Sequence, residues 1–177
     1  MDKKSLYLAF FLGVIGLISA GLISSVNSVT EPIIQERIRV EKQETISEFF
    51  PTQSSFEETE ISDREYKLVK VQYKVFDSNQ EILGYVYEVS VNGYGGTITA
   101  LISYDEQHDV LSNLKYIGSF SETPGFGTRV KEPEFLDQVI NHQVDELNID
   151  TLAGATISSS AVKQAINQAT DYYRLQK

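Results

Sequence analysis

The sequence predicts an α+β protein in which an antiparallel sheet is packed with helices, preceded by one transmembrane helix. Three features of the 177 residues lead to this fold class. The N-terminal part is apolar and uncharged, the middle part repeats apolar residues with a period of two, and the C-terminal part repeats them at helical spacing. Neither an internal repeat nor a low-complexity tract interrupts this order.

The apolar N-terminal segment is long enough to cross a membrane. Residues 5–30 contain no charged side chain, and about 20 helical residues span a hydrocarbon core of about 30 Å. Lys3 and Lys4 flank the N-terminal end, which predicts that this end is cytoplasmic. We therefore expect three parts in order, namely a cytoplasmic N-terminus at 1–5, a transmembrane anchor at 6–27 and an extracytoplasmic domain at 28–177.

A cleaved signal peptide is the alternative interpretation of this segment. The two lysines would form its basic region, and the small residues 19–21 would supply its cleavage site. Leu22 and Ile23 continue the apolar run beyond that site, which favours a retained anchor.

The rest of the chain divides into helices and strands by its periodicity. A helix is expected to begin with Thr30 as its N-cap, to hold Pro32 in its first turn and to end before Pro51. The polar and acidic stretch that follows, 52–63, is expected to be a loop. Four β-branched and aromatic runs predict the strands 66–76, 82–91, 97–104 and 110–117. Two amphipathic stretches predict the helices 133–141 and 160–173.

The composition excludes several kinds of chemistry. Cysteine is absent, which rules out disulfides, thiolate zinc sites, cysteine-held iron–sulfur clusters and a cysteine nucleophile. With only two histidines, no His-rich metal site is expected. The 25 acidic and 15 basic residues leave a formal charge of -10, and no basic patch offsets it, so nucleic acid is not an expected partner.

Three short motifs could bind a ligand. The first is Asn-Gly-Tyr-Gly-Gly at 92–96, which also suits a hairpin turn. The second is Ser-Glu-Thr-Pro-Gly-Phe-Gly at 121–127, which also suits a type II turn. It combines hydrogen-bonding groups with an aromatic ring, and this combination suits a planar heteroaromatic ligand. The third is Asp-Thr-Leu-Ala-Gly-Ala-Thr-Ile-Ser-Ser-Ser at 150–160. Its small residues come before a predicted helix and leave room for a phosphate. One of the serines 158–160 is expected to cap that helix.

Taken in this order behind the anchor, the motifs resemble a specific family. The chain is similar to RnfG, the G subunit of the Rnf electron-transport complex, which is related to NqrC of the sodium-pumping NADH:quinone oxidoreductase. The resemblance extends from VNSVTEPII after the anchor through GYGGTI and SETPGFGTRV to DTLAGATISSSAV. It implies a flavoprotein that carries FMN covalently, through a phosphoester to the threonine of an Asp-x-x-Ser/Thr-Gly-Ala-Thr motif, after attachment by a separate flavin transferase.

Matched by position, the resemblance assigns Thr156 as the residue that carries FMN. It places Glu122, Thr123, Pro124, Gly125 and Gly127 in the loop beside the isoalloxazine ring. We predict no catalytic residue and no metal ligand. The predicted cofactor-binding residues are Thr156, Asp150, Gly154, Ala155, Ser158, Glu122, Thr123, Gly125, Phe126, Tyr94 and Gly95.

Two positions depart from the family pattern. Ala153 stands where Ser or Thr is usual, which removes a hydroxyl near the acceptor threonine and bears on recognition by the transferase. Phe126 stands where Leu is usual; it keeps an apolar contact and adds a ring that could stack on the flavin.

The resemblance implies an electron relay within an ion-translocating ferredoxin:NAD complex of the Rnf type. Its expected partners are the integral and peripheral subunits of that complex, the flavin transferase and the membrane. Three alternatives stay open: a free-standing FMN-bearing surface protein for extracellular electron transfer, the NqrC component of a sodium-pumping NADH:quinone oxidoreductase, and a cofactor-free anchored binding module.

Overall fold

The computed structural model describes residues 2–177, which divide into two compact units between Val40 and Glu41. Of the predicted cytoplasmic segment 1–5, Met1 lies outside the described residues. Helix α1, Lys3–Phe49, runs through the first unit and continues into the second. Among the described residues it is the one helix that is long and apolar enough to cross a membrane. This helix indicates membrane anchoring.

The predicted helix start at Thr30 is wrong, because α1 passes through this position without a break. Thr30 Oγ1 does not cap a helix but donates a hydrogen bond of 3.0 Å to the carbonyl oxygen of Val26, one turn earlier. Pro32 therefore lies inside a helix, where its missing N–H removes one backbone hydrogen bond. The flanking turns are apolar or helix-forming enough to carry the helix past the proline.

The second unit contains a six-stranded antiparallel sheet in the order β1-β2-β3-β4-β5-β6, so each strand pairs with its neighbour in sequence. The strands are β1 Ser55–Glu60, β2 Val69–Phe76, β3 Ile82–Asn92, β4 Thr97–Asp105, β5 Val110–Ile117 and β6 His142–Gln143. The four strands expected from the period-two pattern are β2 to β5. The predicted fold class is confirmed.

Strand β1 corrects the prediction of a loop at 52–63. It lies at the edge of the sheet and pairs with β2 from Ser55 opposite Phe76 to Glu60 opposite Val71. Only Phe56 among its residues is half-buried, and the others are exposed. Its sequence therefore lacks apolar alternation, and backbone pairing with the open edge of β2 is what makes it a strand.

Two helices follow the strands. Helix α2, Pro133–Leu136, is shorter than the expected 133–141, and the chain continues from it in turns. Helix α3, Thr156–Leu175, begins four residues before the expected start at 160. Short 3₁₀ helices at Gly127–Lys131 and Val144–Glu146 complete the connections.

Helices cover the sheet on both faces. Side chains alternate between faces along a strand, so Tyr87 and Val86 of β3 belong to different apolar clusters. The larger cluster packs the sheet against α3 and α2, and the smaller packs it against Ile46 and Phe50 at the end of α1. Ion pairs of 2.5 Å between Lys42 and Glu88, and between Glu48 and Lys115, hold the end of α1 on the second face.

One end of the sheet brings the three motifs together. Strand β3 ends and β4 begins there, and β5 ends there because Ile117 pairs with Thr99 near the start of β4. The hairpin after β3, the loop after β5 and the first turn of α3 consequently lie at the same end of the second unit.

Candidate functional site

The first motif forms the hairpin between β3 and β4. The Gly93 N–H donates to the carbonyl oxygen of Gly96 at 2.8 Å, and this bond closes the loop. Gly96 has a φ of 151°, which favours glycine. Tyr94 lies in the middle of the loop with 70% of its surface exposed. The motif is a turn, as its sequence suggests, and it presents an aromatic side chain.

The second motif is a tight turn in which Pro124 and Gly125 hold the central positions. The Phe126 N–H donates to the Thr123 carbonyl oxygen at 3.2 Å, and Gly125 has a φ of 73°. These are the features of a type II turn. The turn directs Phe126 towards the third motif, where its Cδ1 atom lies 3.6 Å from the position that a Cβ on Gly154 would occupy.

The third motif is a loop whose backbone is held from two sides. Ser159 Oγ accepts a hydrogen bond of 3.0 Å from the Leu152 N–H and donates one of 2.9 Å to the Ala155 carbonyl oxygen. Arg129, in the 3₁₀ helix Gly127–Lys131, donates a hydrogen bond of 2.7 Å to the Ala153 carbonyl oxygen. Gly154 has a φ of 80° and turns the chain into α3.

The expected N-cap among the serines 158–160 is wrong. Helix α3 already begins at Thr156, and the residue before it, Ala155, has no side chain that could accept a hydrogen bond. Ser158 and Ser159 are buried within the first turn and bond to other partners. Ala155, directly before the helix, is buried in the larger apolar cluster.

Glu122 joins the three motifs. It is only 5% exposed, and its Oε1 accepts a hydrogen bond of 3.0 Å from the Gly95 N–H of the hairpin. Its Oε2 accepts a hydrogen bond of 2.5 Å from Ser158 Oγ in the first turn of α3. Each oxygen of the carboxylate thus accepts one hydrogen bond, from a different motif.

Around this junction lies an open pocket of about 440 Å³. Cofactor and small-molecule pockets are typically about 300 to 1,000 Å³ and mostly apolar. The residues that line this one come from all three motifs: Tyr94, Glu122, Thr123, Phe126, Gly127, Gly154, Ala155, Thr156, Ile157 and Ser158.

Exposed apolar side chains concentrate at this pocket. Within Glu41–Lys177, the large apolar side chains that the structure leaves exposed are Tyr94, Phe126, Ile157 and Leu175, and the first three line the pocket. Phe126 and Ile157 are each 57% exposed. Exposed apolar groups around a concave site indicate a bound apolar or aromatic ligand.

Hydrogen-bond donors lie at the same pocket. In the described part of the chain, the N–H groups of Thr156, Ile157 and Ser158 meet no acceptor, as is usual in the first turn of a helix. The exposed hydroxyl of Thr156 lies among them, at the positive end of a 20-residue helix. This donor set suits a phosphate group.

Two cations follow the second motif in the 3₁₀ helix Gly127–Lys131. The Arg129 guanidinium also pairs with Glu134, so it is held between the third motif and α2. Burial lowers the pKa of Lys131, whose Nζ lies 3.7 Å from the centre of the Phe120 ring. Neither side chain lines the pocket.

Most of the predicted site residues line the pocket, but three do not. Gly125 and Gly95 lie in the motif backbones outside the lining, and Gly95 reaches it only through its bond to Glu122. Asp150 is exposed, and its N–H bonds to Gln138 Oε1 at 2.7 Å. Ile157 lies outside the predicted set, although a large apolar side chain directly after the candidate acceptor Thr156 could have indicated it.

Comparison with known proteins agrees with this site. Residues 93–171, which contain all three motifs except Asn92, match the family described as FMN-binding domain. Over 173 residues the chain is 29% identical to the G subunit of the ion-translocating oxidoreductase complex of Methanosarcina acetivorans, covering 93% of this chain and 92% of that protein.

Two further similarities cover less of the chain. The G subunit of the proton-translocating ferredoxin:NAD(+) oxidoreductase complex of Clostridium ljungdahlii is 28% identical over 112 residues, 58% of this chain and 60% of that protein. The crystal structure of Shewanella oneidensis NqrC has a TM-score of 0.46 and 16% identity, covering 67% of this chain and 69% of that one. Residues 93–171 thus match the FMN-binding domain family, in a chain that resembles the G subunits of ion-translocating oxidoreductase complexes over most of its length.

Proposed function

We propose that this protein is a membrane-anchored electron-transfer subunit of an ion-translocating oxidoreductase complex, and that it carries FMN covalently on Thr156. One observation carries the proposal: the exposed Thr156 hydroxyl lies at the N-terminus of α3, on a pocket lined by the exposed side chains of Tyr94, Phe126 and Ile157. The phosphate and the ring of FMN require these two chemically different surfaces side by side.

The residues present fit FMN. The three free N–H groups at the start of α3 would hold the phosphate, and the apolar side chains would contact the isoalloxazine ring. Thr123, Gly154 and Ala155 also line the pocket. When bound, FMN supplies the redox chemistry, and the protein supplies binding, orientation and tuning of the reduction potential.

Attachment to Thr156 requires another enzyme. A bond would form between Thr156 Oγ1 and the phosphorus of FMN. The bond between that phosphorus and the leaving group of an activated flavin nucleotide would break. The hydroxyl proton would pass to a base. Among the described residues, no carboxylate or imidazole hydrogen-bonds to Thr156 Oγ1. A flavin transferase would therefore supply that base, and the exposed Asp150 is available for contact with it.

The similarity to G subunits of such complexes supports a place within a larger assembly. Helix α1 would dock the protein to integral subunits through residues 6–27, with the N-terminus cytoplasmic because Lys3 and Lys4 flank that end. The domain at 28–177 would then be extracytoplasmic. A covalent bond would keep the flavin in place on that side of the membrane, where little FMN is available to refill an open site.

The test is coexpression of the full chain with a flavin transferase. We expect flavin fluorescence in a denaturing gel and a mass increase equal to FMN less one water, both of which Thr156→Ala abolishes. Thr151→Ala is the matched control, because Thr151 is an exposed threonine of the same loop that does not line the pocket.

Three results would contradict parts of the proposal. An unlabelled wild-type chain would rule out the covalent carrier, and a label that persists in Thr156→Ala would move the attachment site. A labelled chain that copurifies with no integral membrane partner would instead support a free-standing flavoprotein.

A further inference from the structure

Each oxygen of the Glu122 carboxylate is already bonded to another part of the protein. The Gly95 N–H occupies Oε1 at 3.0 Å, and Ser158 Oγ occupies Oε2 at 2.5 Å. No cation pairs with Glu122 in the described part of the chain. Although Glu122 lies at the pocket, its contacts are those of a residue that holds other residues in place.

The surrounding backbone leaves space for this carboxylate and for little else. A Cβ on Gly93 would collide with Glu122 Oε1, and a Cβ on Gly127 would collide with Oε2. The same Cβ on Gly127 would lie 2.8 Å from Ser158 Oγ. The side chain of Glu122 therefore fills a slot whose two walls are glycine backbone, each from a different motif.

This slot connects chain segments that are far apart in sequence. Gly95 lies 27 residues before Glu122, and Ser158 lies 36 residues after it. Ser158 is two residues from Thr156 in the first turn of α3, and Gly95 is next to Tyr94 in the hairpin. The distance between the acceptor hydroxyl and the aromatic wall of the pocket thus depends on the two hydrogen bonds of Glu122.

We infer that Glu122 is a positioning residue for flavin attachment, which fixes Thr156 relative to Tyr94 and Phe126 through its two hydrogen bonds and not through its charge. This inference rests on the proposed attachment of FMN to Thr156. It differs from the expectation that Glu122 contacts the isoalloxazine ring directly.

The variant Glu122→Gln distinguishes the effect of the hydrogen bonds of Glu122 from the effect of its charge. Its amide oxygen accepts the Gly95 N–H, and its amide nitrogen donates to Ser158 Oγ, since a hydroxyl can rotate to accept. Alanine removes both bonds. Aspartate keeps the charge, but it is one methylene shorter and cannot span the same two partners in the same slot.

The test compares Glu122→Gln, Glu122→Ala and Glu122→Asp in the full chain, coexpressed with a flavin transferase. The measurements are the rate at which the FMN mass appears and the circular dichroism of the attached flavin. Glu122→Gln is expected to recover most of the labelling that Glu122→Ala loses, with a wild-type flavin spectrum. Glu122→Ala and Glu122→Asp are expected to label at least about tenfold more slowly, since small displacements of reacting groups can cost about a hundredfold.

Each outcome decides the inference. If Glu122→Gln labels as poorly as Glu122→Ala, the charge is what matters and the inference is wrong; it is equally wrong if Glu122→Ala labels like the wild type. Should Glu122→Ala fail to fold, Ser158→Ala removes one anchor alone, and normal labelling of that variant overturns the inference. A wild-type chain that stays unlabelled contradicts the proposed function and the inference together, whereas a labelled wild type beside an equally labelled Glu122→Ala contradicts the inference alone.

Discussion

The Arg129 guanidinium donates a hydrogen bond of 2.7 Å to the carbonyl oxygen of Ala153, three residues before Thr156, the proposed acceptor of FMN. This bond holds the loop through its backbone and does not depend on the side chain at 153. We predict that Arg129→Ala lowers the stability of the folded chain by about 1 kcal/mol, because a partly exposed charged hydrogen bond is lost. It also slows labelling of Thr156, because the loop loses one of its two supports.

Arg174 offers a matched control for Arg129. It donates a hydrogen bond of 2.8 Å to the Val144 carbonyl oxygen, away from the pocket. Arg174→Ala should lower the melting temperature by a similar amount and leave labelling at the wild-type rate. Equal labelling of the two variants would show that the Arg129 contact has no part in presenting the threonine.

Ala153 itself allows a prediction about the departure from the family pattern. Its side chain does not line the pocket, and its carbonyl oxygen is already bonded to Arg129. We expect Ala153→Ser to leave the labelling rate and the melting temperature unchanged. Mass spectrometry over a time course checks this, and a marked acceleration would mean that the transferase reads the hydroxyl.

Gly127 should be far less replaceable than Gly125. A Cβ on Gly127 would collide with Glu122 Oε2, whereas a Cβ on Gly125 would meet no atom within 4 Å. Gly127→Ala is expected to cost about 2 to 3 kcal/mol through overpacking and to suppress labelling. Gly125→Ala is expected to cost about 1 to 2 kcal/mol, from its φ of 73° alone, and to keep labelling. Denaturant unfolding gives both values, and a reversed order would contradict this account of the slot.

Phe126 should shield the attached flavin from solvent. Its ring lies against Gly154 and forms one wall of the pocket. We expect iodide to quench flavin fluorescence more strongly in Phe126→Ala than in the wild type, with Phe126→Leu between them. Leu175→Ala is the control, because Leu175 is an exposed apolar residue that does not line the pocket. Unchanged quenching in Phe126→Ala would place the flavin ring elsewhere.

Because several tyrosines are buried, we predict that the folded chain loses stability at alkaline pH. Burial raises the pKa of Tyr87, Tyr104 and Tyr116 above the usual value of about 10. The unfolded chain loses these protons as the pH passes about 10, whereas the folded chain keeps them. The stability from these groups is therefore complete below about pH 10 and falls above it, by up to about 1.4 kcal/mol per pH unit for each tyrosine.

The variant Tyr104→Phe checks this pH dependence. It removes one titrating group and the 2.9 Å hydrogen bond between Tyr104 Oη and Thr170 Oγ1. We expect a loss of about 1 kcal/mol at neutral pH and a shallower loss of stability above about pH 10. Circular dichroism follows unfolding, and ultraviolet absorbance follows phenolate formation. A difference in phenolate absorbance between the wild type and Tyr104→Phe near pH 10, while both are folded, would mean that Tyr104 itself ionises there and would contradict the prediction.

Local patterns were sufficient for part of the fold. Strands β2 to β5 follow from alternation, because each places apolar side chains on a buried face. Strand β1 escaped prediction because it is an edge strand with almost no buried side chain. The continuity of α1 through Pro32 was not predicted, because a proline in the first turn of a helix and a proline inside a long helix can have the same local sequence.

The sequence by itself predicted which residues could contact FMN, because the motifs that carry the resemblance to an FMN-bearing family are short consecutive strings. Only the tertiary structure decided what Glu122 does there. Its partners Gly95 and Ser158 lie 27 and 36 residues away, and no periodicity connects them. Sheet pairing and the packing of α3 bring the three together, so the contacts of this carboxylate are a product of the folded core and not of the motif that contains it.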